Sequence, residues 1–232
     1  MKSNNEIFQE TLGILQAGGY TDSGGTWHDI MSSKPGSILY QTLSTLKEHP
    51  SYDSTVIKWE KKDILAVTKE LKGNVLVLNP ADPTVPPIDC EGNTVEEILL
   101  RRTNLSQSLY SFSENTFEIF GNRKPKTYKY PIKTYGGIYT PNVTVFRATG
   151  LLRRPFSCSV ASIPPLIVSS NKLKNGEKLI IKGKIRSLFR IAIKFGHDKI
   201  VLPDIFPKDL FEEVIKEREF NQSFKTICII LT

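Results

Sequence analysis

The run Val75-Leu76-Val77-Leu78, closed by Asn74 before it and Asn79 after it, narrows the folds open to this chain more than any other segment. Four consecutive apolar residues between turn formers are too short for a helix and cannot turn one face to water. They read as a strand buried on both faces, the kind found in sheets covered by helices on either side. The segment that follows, 80–93, holds Pro80, Pro83, Pro86 and Pro87 with Asp82, Asp89 and Glu91, so it is neither helix nor central strand. Helical spacing returns over 94–109. A lysine-rich aromatic connection, 123–133, leads into 136–146, whose β-branched and aromatic residues alternate as in a strand. Strands at 157–163 and 226–231 bracket a helix at 182–195, a strand at 199–202 and a helix at 208–217. This alternation implies a sheet with helices on both faces.

Ahead of the buried strand, 4–17 places Ile7, Phe8, Leu12 and Leu15 near one helical face, and Gly18-Gly19 ends it. A glycine- and serine-rich loop, 21–36, precedes apolar stretches at 37–46 and 54–59 and a short helix at 63–71. With 232 residues, 39% apolar and 24% charged, the chain suits one domain with a sizeable core. No apolar run approaches the roughly 18 residues of a membrane span, and the polar opening Met1-Lys2-Ser3-Asn4-Asn5-Glu6 lacks a signal-peptide core. The expectation is a soluble protein without a membrane partner, in a cytoplasmic or nuclear setting. Cys90, Cys158 and Cys228 are odd in number and far apart, which suits a reducing compartment and indicates neither a disulfide framework nor a metal knuckle.

The net charge of +7 is uneven: residues 1–98 carry 8 basic and 14 acidic groups, and 99–232 carry 23 and 10. Such a basic half either faces an anion or is simply solvated. Zinc-finger spacing and RNA-recognition signatures are absent, so nucleic acid is not the expected partner. Docking of an acidic partner or nucleic acid through Arg153-Arg154 and the lysines of 172–199 remains one function class to weigh.

Four stretches, in order, resemble the microbial-type poly(ADP-ribose) glycohydrolase family. They are Gln9-Glu10-Thr11-Leu12 with Gly19-Tyr20; Val77-Leu78-Asn79-Pro80 with Glu96-Glu97 and Arg101-Arg102-Thr103-Asn104-Leu105; Tyr135-Gly136-Gly137-Ile138-Tyr139-Thr140-Pro141-Asn142-Val143-Thr144-Val145-Phe146-Arg147; and Arg190-Ile191-Ala192 with Gly196-His197-Asp198-Lys199-Ile200-Val201-Leu202. The resemblance implies an α/β fold: a three-layer α/β/α, macrodomain-like mixed sheet with an N-terminal helical extension. The whole chain, 1–232, is then a single domain on which 1–72 packs as that extension.

The activity the resemblance implies is cleavage of an O-glycosidic bond at ADP-ribose. It needs a carboxyl that protonates the leaving hydroxyl and then deprotonates water. The family uses the second glutamate of a Gln-Glu-Glu triplet, here Val95-Glu96-Glu97, which points to Glu97 as acid and base with Glu96 beside it. Thr94-x-x-Glu97 is equally a capping box, in which the glutamate serves the helix start. Where the family has phosphate-cradling glycines, this chain has Ala81-Asp82-Pro83, and its second loop, 203–208, is glycine-free with Asp204. Asn79 is expected at the ligand ribose, or acts as a turn former. Gly136-Gly137 would allow close backbone approach to the ligand with Tyr139 or Phe146 stacking on a base, unless these mark a bulge and core residues. No cofactor is expected, and His28, His49 and His197 offer no paired metal ligands. Three readings follow: a glycohydrolase whose ligand is ADP-ribose or a related nucleotide, carried on an ADP-ribosylated protein; a catalytically inactive binding module for a nucleotide or protein; and docking through the basic half.

Overall fold

The computed structural model describes residues 2–30, 38–40, 50–168 and 172–231. In chain order its elements are helix α1 (Asn4–Ala17), strands β1 (Gly19–Thr21), β2 (Trp27–Asp29), β3 (Ile38–Tyr40) and β4 (Val56–Glu60), helix α2 (Ile64–Leu71), strand β5 (Val75–Asn79), helices α3 (Val95–Arg102) and α4 (Leu105–Tyr110), strands β6 (Gly137–Arg147) and β7 (Leu151–Ser162), helix α5 (Asn175–Lys194), strand β8 (Lys199–Pro203), helix α6 (Lys208–Ile215) and strand β9 (Thr226–Ile230). Strand β5 is buried along its whole length, as its four-residue apolar run requires, and runs parallel to β7 on one side and β8 on the other.

The sheet has seven strands in the order β3-β6-β7-β5-β8-β9-β4. β8, β9 and β4 are parallel neighbours, whereas β6 and β3 are antiparallel. Strands from before residue 72 thus form both edges. Alternate residues divide between two cores. Val75, Val77, Val201 and Cys228 join Phe8, Leu65, Leu99 and Tyr110 of the first four helices. Leu76, Leu78, Ile200 and Ile229 join Ile185, Phe189 and Phe211 of α5 and α6. This period-2 division between two helical layers is the expected three-layer α/β/α arrangement.

Local chemistry explains where elements depart from the expected bounds. Gly18 ends α1 in the left-handed region at φ 85°, with its N–H on the Ile14 carbonyl. The glycine- and serine-rich segment forms the β1–β2 hairpin, because the Asp22 carboxylate accepts the Gly24 and Thr26 N–H groups. The rest of that segment, 31–36, and the apolar stretch 37–46 apart from β3 lie outside the described residues. The helix expected over 94–109 is two helices. At the break Asn104 exchanges backbone and side-chain hydrogen bonds with Thr144 (3.2 and 2.8 Å), a partner 40 residues away. Helix α5 begins seven residues before the expected start, because Glu177 reaches back to the Lys174 N–H (2.7 Å) ahead of an Asn175-Gly176 pair that reads as a turn.

Phe189 is fully buried, with the rings of Phe224, Phe220 and Phe211 at 5.1, 5.4 and 5.6 Å. Phe189→Ala is expected to lower stability by about 3–5 kcal/mol. An unfolding free energy lowered by less than about 1 kcal/mol would show that α5 is not anchored through this ring.

Candidate functional site

Asn79 and Ser162 end β5 and β7 side by side, at the carboxyl edge where open α/β sheets place their ligands. Asn79 is fully buried, and its Nδ2 donates to Ser162 Oγ at 3.0 Å and to Glu96 Oε1 at 3.3 Å. Glu96, in the first turn of α3, accepts the Asp82 N–H on its other oxygen at 2.8 Å and is 5% exposed. Burial dominates its titration and pushes the carboxyl up to about 7, although both hydrogen bonds pull the other way. A carboxyl there holds and gives up a proton near neutrality, as acid–base catalysis requires. Two buried atoms nearby lack a partner: Asn79 Oδ1 and the Tyr130 hydroxyl. The Tyr130 hydroxyl resists ionisation, first through burial and then through the charges of Glu96 and Asp82.

Glu97 is differently placed. It accepts the Thr94 hydroxyl (2.7 Å), the Gly92 N–H (2.8 Å) and the Thr94 N–H (2.9 Å), while its own N–H reaches the Thr94 hydroxyl. Partial burial raises its pKa, but these bonds and the nearby Arg101 outweigh that and hold it below the usual carboxylate range. Glu97 is thus engaged as the capping glutamate, and a carboxylate so bonded is a weak proton donor.

The loops around this point direct their amides inward. The Asp82 carboxylate accepts the N–H groups of Thr84 (2.7 Å) and Val85 (3.1 Å), and the Ala81 N–H bonds the Asn79 carbonyl (2.9 Å). The Ile132 N–H on the Pro83 carbonyl, the Tyr110 hydroxyl on that of Pro87, and Arg101 on those of Cys90 and Gly92 pin the proline loop down. After β8, the Asp204 N–H bonds the Ile230 carbonyl and the Ile205 N–H that of Pro203, while Phe206 turns into the α5–α6 layer. The N–H groups of Ala81, Thr84, Val85, Asp204 and Ile205 in these two loops are thus bonded within the chain rather than left free for an external anion.

The remaining candidates separate. Gly137 lies beside Ser162, where a Cβ would stand 3.0 Å from Ile163 and 3.4 Å from Ile191, so its lack of a side chain serves packing; Gly136 precedes it with its N–H on the Lys133 carbonyl. Tyr139 points into the α5 layer, stacked on Phe195 at 3.8 Å, with its hydroxyl on His197 Nε2 (3.0 Å) and Ser159 Oγ (3.2 Å). Phe146 sits near the far end of β6, fully buried with Leu15, Tyr20 and Ile30. Neither ring faces the strand-end site, since both fill inward positions of β6. His197 is buried with its other ring nitrogen on the Asn74 carbonyl. Asn79 and Glu96 therefore meet at one place. Ser162 and the Asp82 N–H join them unannounced by the sequence, because parallel register and loop amides leave no local signal.

Three of the basic groups after residue 98 are paired with acids of the same segment. Arg186 pairs with Glu217 (2.6 Å), Arg190 with Glu219 (2.7 Å), and Lys182 with Glu213. Among the described residues, no helix is long and apolar enough to cross a membrane.

Comparison with known proteins places this arrangement. Residues 8–148 match the family model described as microbial-type PARG, catalytic domain. No curated protein matches. Among solved structures, the poly(ADP-ribose) glycohydrolase of Thermomonospora curvata superposes with a TM-score of 0.80 at 19% identity, covering 98% of this chain and 92% of its own. The same enzyme bound to the inhibitor ADP-HPD gives 0.75 at 19% identity, with the same coverage. The Deinococcus radiodurans glycohydrolase in complex with ADP-ribose gives 0.63 at 17% identity, covering 87% of this chain and 90% of its own.

Proposed function

This chain belongs to the microbial-type poly(ADP-ribose) glycohydrolase catalytic-domain family, and from that premise we propose that it acts on ADP-ribose units at the strand-end site, with Glu96 as acid and base. The observation that carries the reading is a single buried carboxyl titrating near 7, held by Asn79 and the Asp82 N–H beside Ser162. Protonated Glu96 donates to the leaving oxygen as the anomeric carbon gains oxocarbenium character; the resulting carboxylate then takes a proton from the attacking water. Asn79 Oδ1 and Ser162 Oγ orient sugar hydroxyls. Glu97 sets the start of α3. The substrate is an ADP-ribosylated protein or its polymer, in line with the ADP-HPD and ADP-ribose held by the structural relatives. The chain works as one unit, in an intracellular setting that suits its three unpaired, buried cysteines.

Access is the restricting condition. Glu96 is buried with one carboxyl oxygen on the Asp82 N–H, so on this reading sugar entry releases that bond. Calorimetric titration with ADP-ribose, followed by assay of ADP-ribose released from the polymer, tests the reading. Binding with slow turnover is the expected result. Absence of heat at millimolar ligand would remove ADP-ribose from this site.

A further inference from the structure

Residues 133–136 bring the chain to the start of β6 at the carboxyl edge, where Ile138 pairs with Ser162. Helix α5 holds this approach from one side. Lys184 Nζ donates to the Thr134 carbonyl at 2.6 Å, and the Ser187 hydroxyl to the Tyr135 carbonyl at 3.2 Å. Beside them stands Gly183, a residue type that weakens a helix interior. A Cβ at Gly183 would meet Tyr135 Cε1 at 2.5 Å and Cδ1 at 2.8 Å, with Cζ farther off at 3.7 Å. The helix thus leaves out a side chain to seat one edge of this ring, and an edge contact does not commit the ring faces to the helix. Tyr135 is 41% exposed.

A surface tyrosine fixed at both backbone and ring is preorganised, because little side-chain freedom is left to lose when a ligand settles on it. Among the described residues the exposed aromatic side chains are Trp27, Trp59 and Tyr135. Trp27 lies in the β1–β2 hairpin and Trp59 on the edge strand β4, so Tyr135 is the one at the start of β6, beside the strand-end site. Leu179, 63% exposed, precedes Gly183 by one helical turn and shares its face. Lys133, two residues before Tyr135, is exposed as well. An aromatic face, an apolar flank and a cation suit a planar base that carries phosphate.

We propose that Tyr135 is a specificity residue of the strand-end site: an adenine base of the substrate stacks on its ring against Leu179, and Lys133 attracts the phosphate next to it. The proposal rests on the reading of that site as one acting on ADP-ribose units. Stacking thereby falls to the exposed aromatic of 135–147, whereas Tyr139 and Phe146 are buried in the two cores. The polymer offers two such bases, one on the unit released and one on the unit across the scissile oxygen.

Calorimetry on the full chain, with ADP-ribose and, in the slow-turnover Glu96→Gln background, with poly(ADP-ribose), tests the proposal and separates the two bases. Tyr135→Ala should weaken binding about tenfold or more, the usual loss when a base loses its aromatic partner. Weakening towards ADP-ribose assigns the ring to the base of the released unit; weakening towards the polymer alone assigns it to the next. Tyr135→Phe should bind as its parent does, because the ring and not the hydroxyl makes the contact. Gly183→Ala should weaken binding with Tyr135→Ala, since its Cβ displaces the ring while alanine favours the helix. A Tyr135→Ala variant that binds both ligands as tightly as its parent overturns the proposal, and so does a Tyr135→Phe variant that loses as much as Tyr135→Ala. Absence of binding to either ligand before Tyr135 is changed is a different result: it overturns the strand-end reading, and this proposal with it.

Discussion

Glu96→Gln is expected to lower turnover of poly(ADP-ribose) by about 10²–10⁴-fold, the usual contribution of a positioned general acid and base. The amide should fit. Turning the Asn79 side chain end for end lets its unpartnered Oδ1 accept from a protonated Glu96, or from the glutamine amide, and from Ser162 Oγ. The same substitution should stabilise the fold in alkaline solution. The folded pKa of Glu96 is raised to about 7 from the ordinary carboxyl value of 4.5, so the folded state holds this proton where the unfolded state has released it. Wild-type stability therefore falls as pH rises through that window, by on the order of 3 kcal/mol in total, and is lowest above it. The glutamine variant lacks this penalty. Opposite movements of rate and alkaline stability are the signature sought; a variant that keeps its rate would move catalysis elsewhere, with Glu97 the first place to look. Glu97→Gln should leave turnover largely intact, because glutamine also fills the N3 position of a capping box.

Asp82→Ala should increase the affinity for ADP-ribose. The Asp82 carboxylate occupies the N–H groups of Thr84 and Val85, so the loop already contains the anion it would otherwise bind. Removing it frees two donors and deletes a negative charge near the proposed ligand. Hydrogen bonds to a charged acceptor contribute about 1.5–3 kcal/mol, which corresponds to roughly a ten- to hundredfold change in dissociation constant. The gain should shrink with added salt. Calorimetry on the variant decides the matter: an unchanged constant would mean that the diphosphate does not lie against 81–85.

The secondary structure legible in the sequence is that whose signal is local. Val75 to Leu78 could only be a doubly covered strand, and the helix–strand alternation after residue 175 follows from periodicity alone. The break between α3 and α4 could not be seen, because its cause is Thr144, brought alongside Asn104 by the sheet. The division of labour between the paired glutamates was half visible. A Thr-x-x-Glu box assigns Glu97 to the helix cap, which leaves Glu96 to face inward. What raises the Glu96 pKa is burial beneath a loop that local periodicity leaves unplaced. Tyr139 and Phe146 show the reverse case: alternation along β6 marks them as inward-facing, and the packing around each determines what that means.

The sheet order carries a temporal cost. Strand β4 ends at residue 60, yet its sheet neighbour β9 begins at residue 226, and β8 precedes β9 by only a short stretch. During synthesis β4 must wait with an open edge while more than 160 residues emerge. Closure of so long a loop slows folding, and an unpaired edge invites pairing with another chain. Trp59 and Val56 on that strand remain partly exposed even after docking. A nascent chain halted before β9 therefore leaves β4 with no strand beside it.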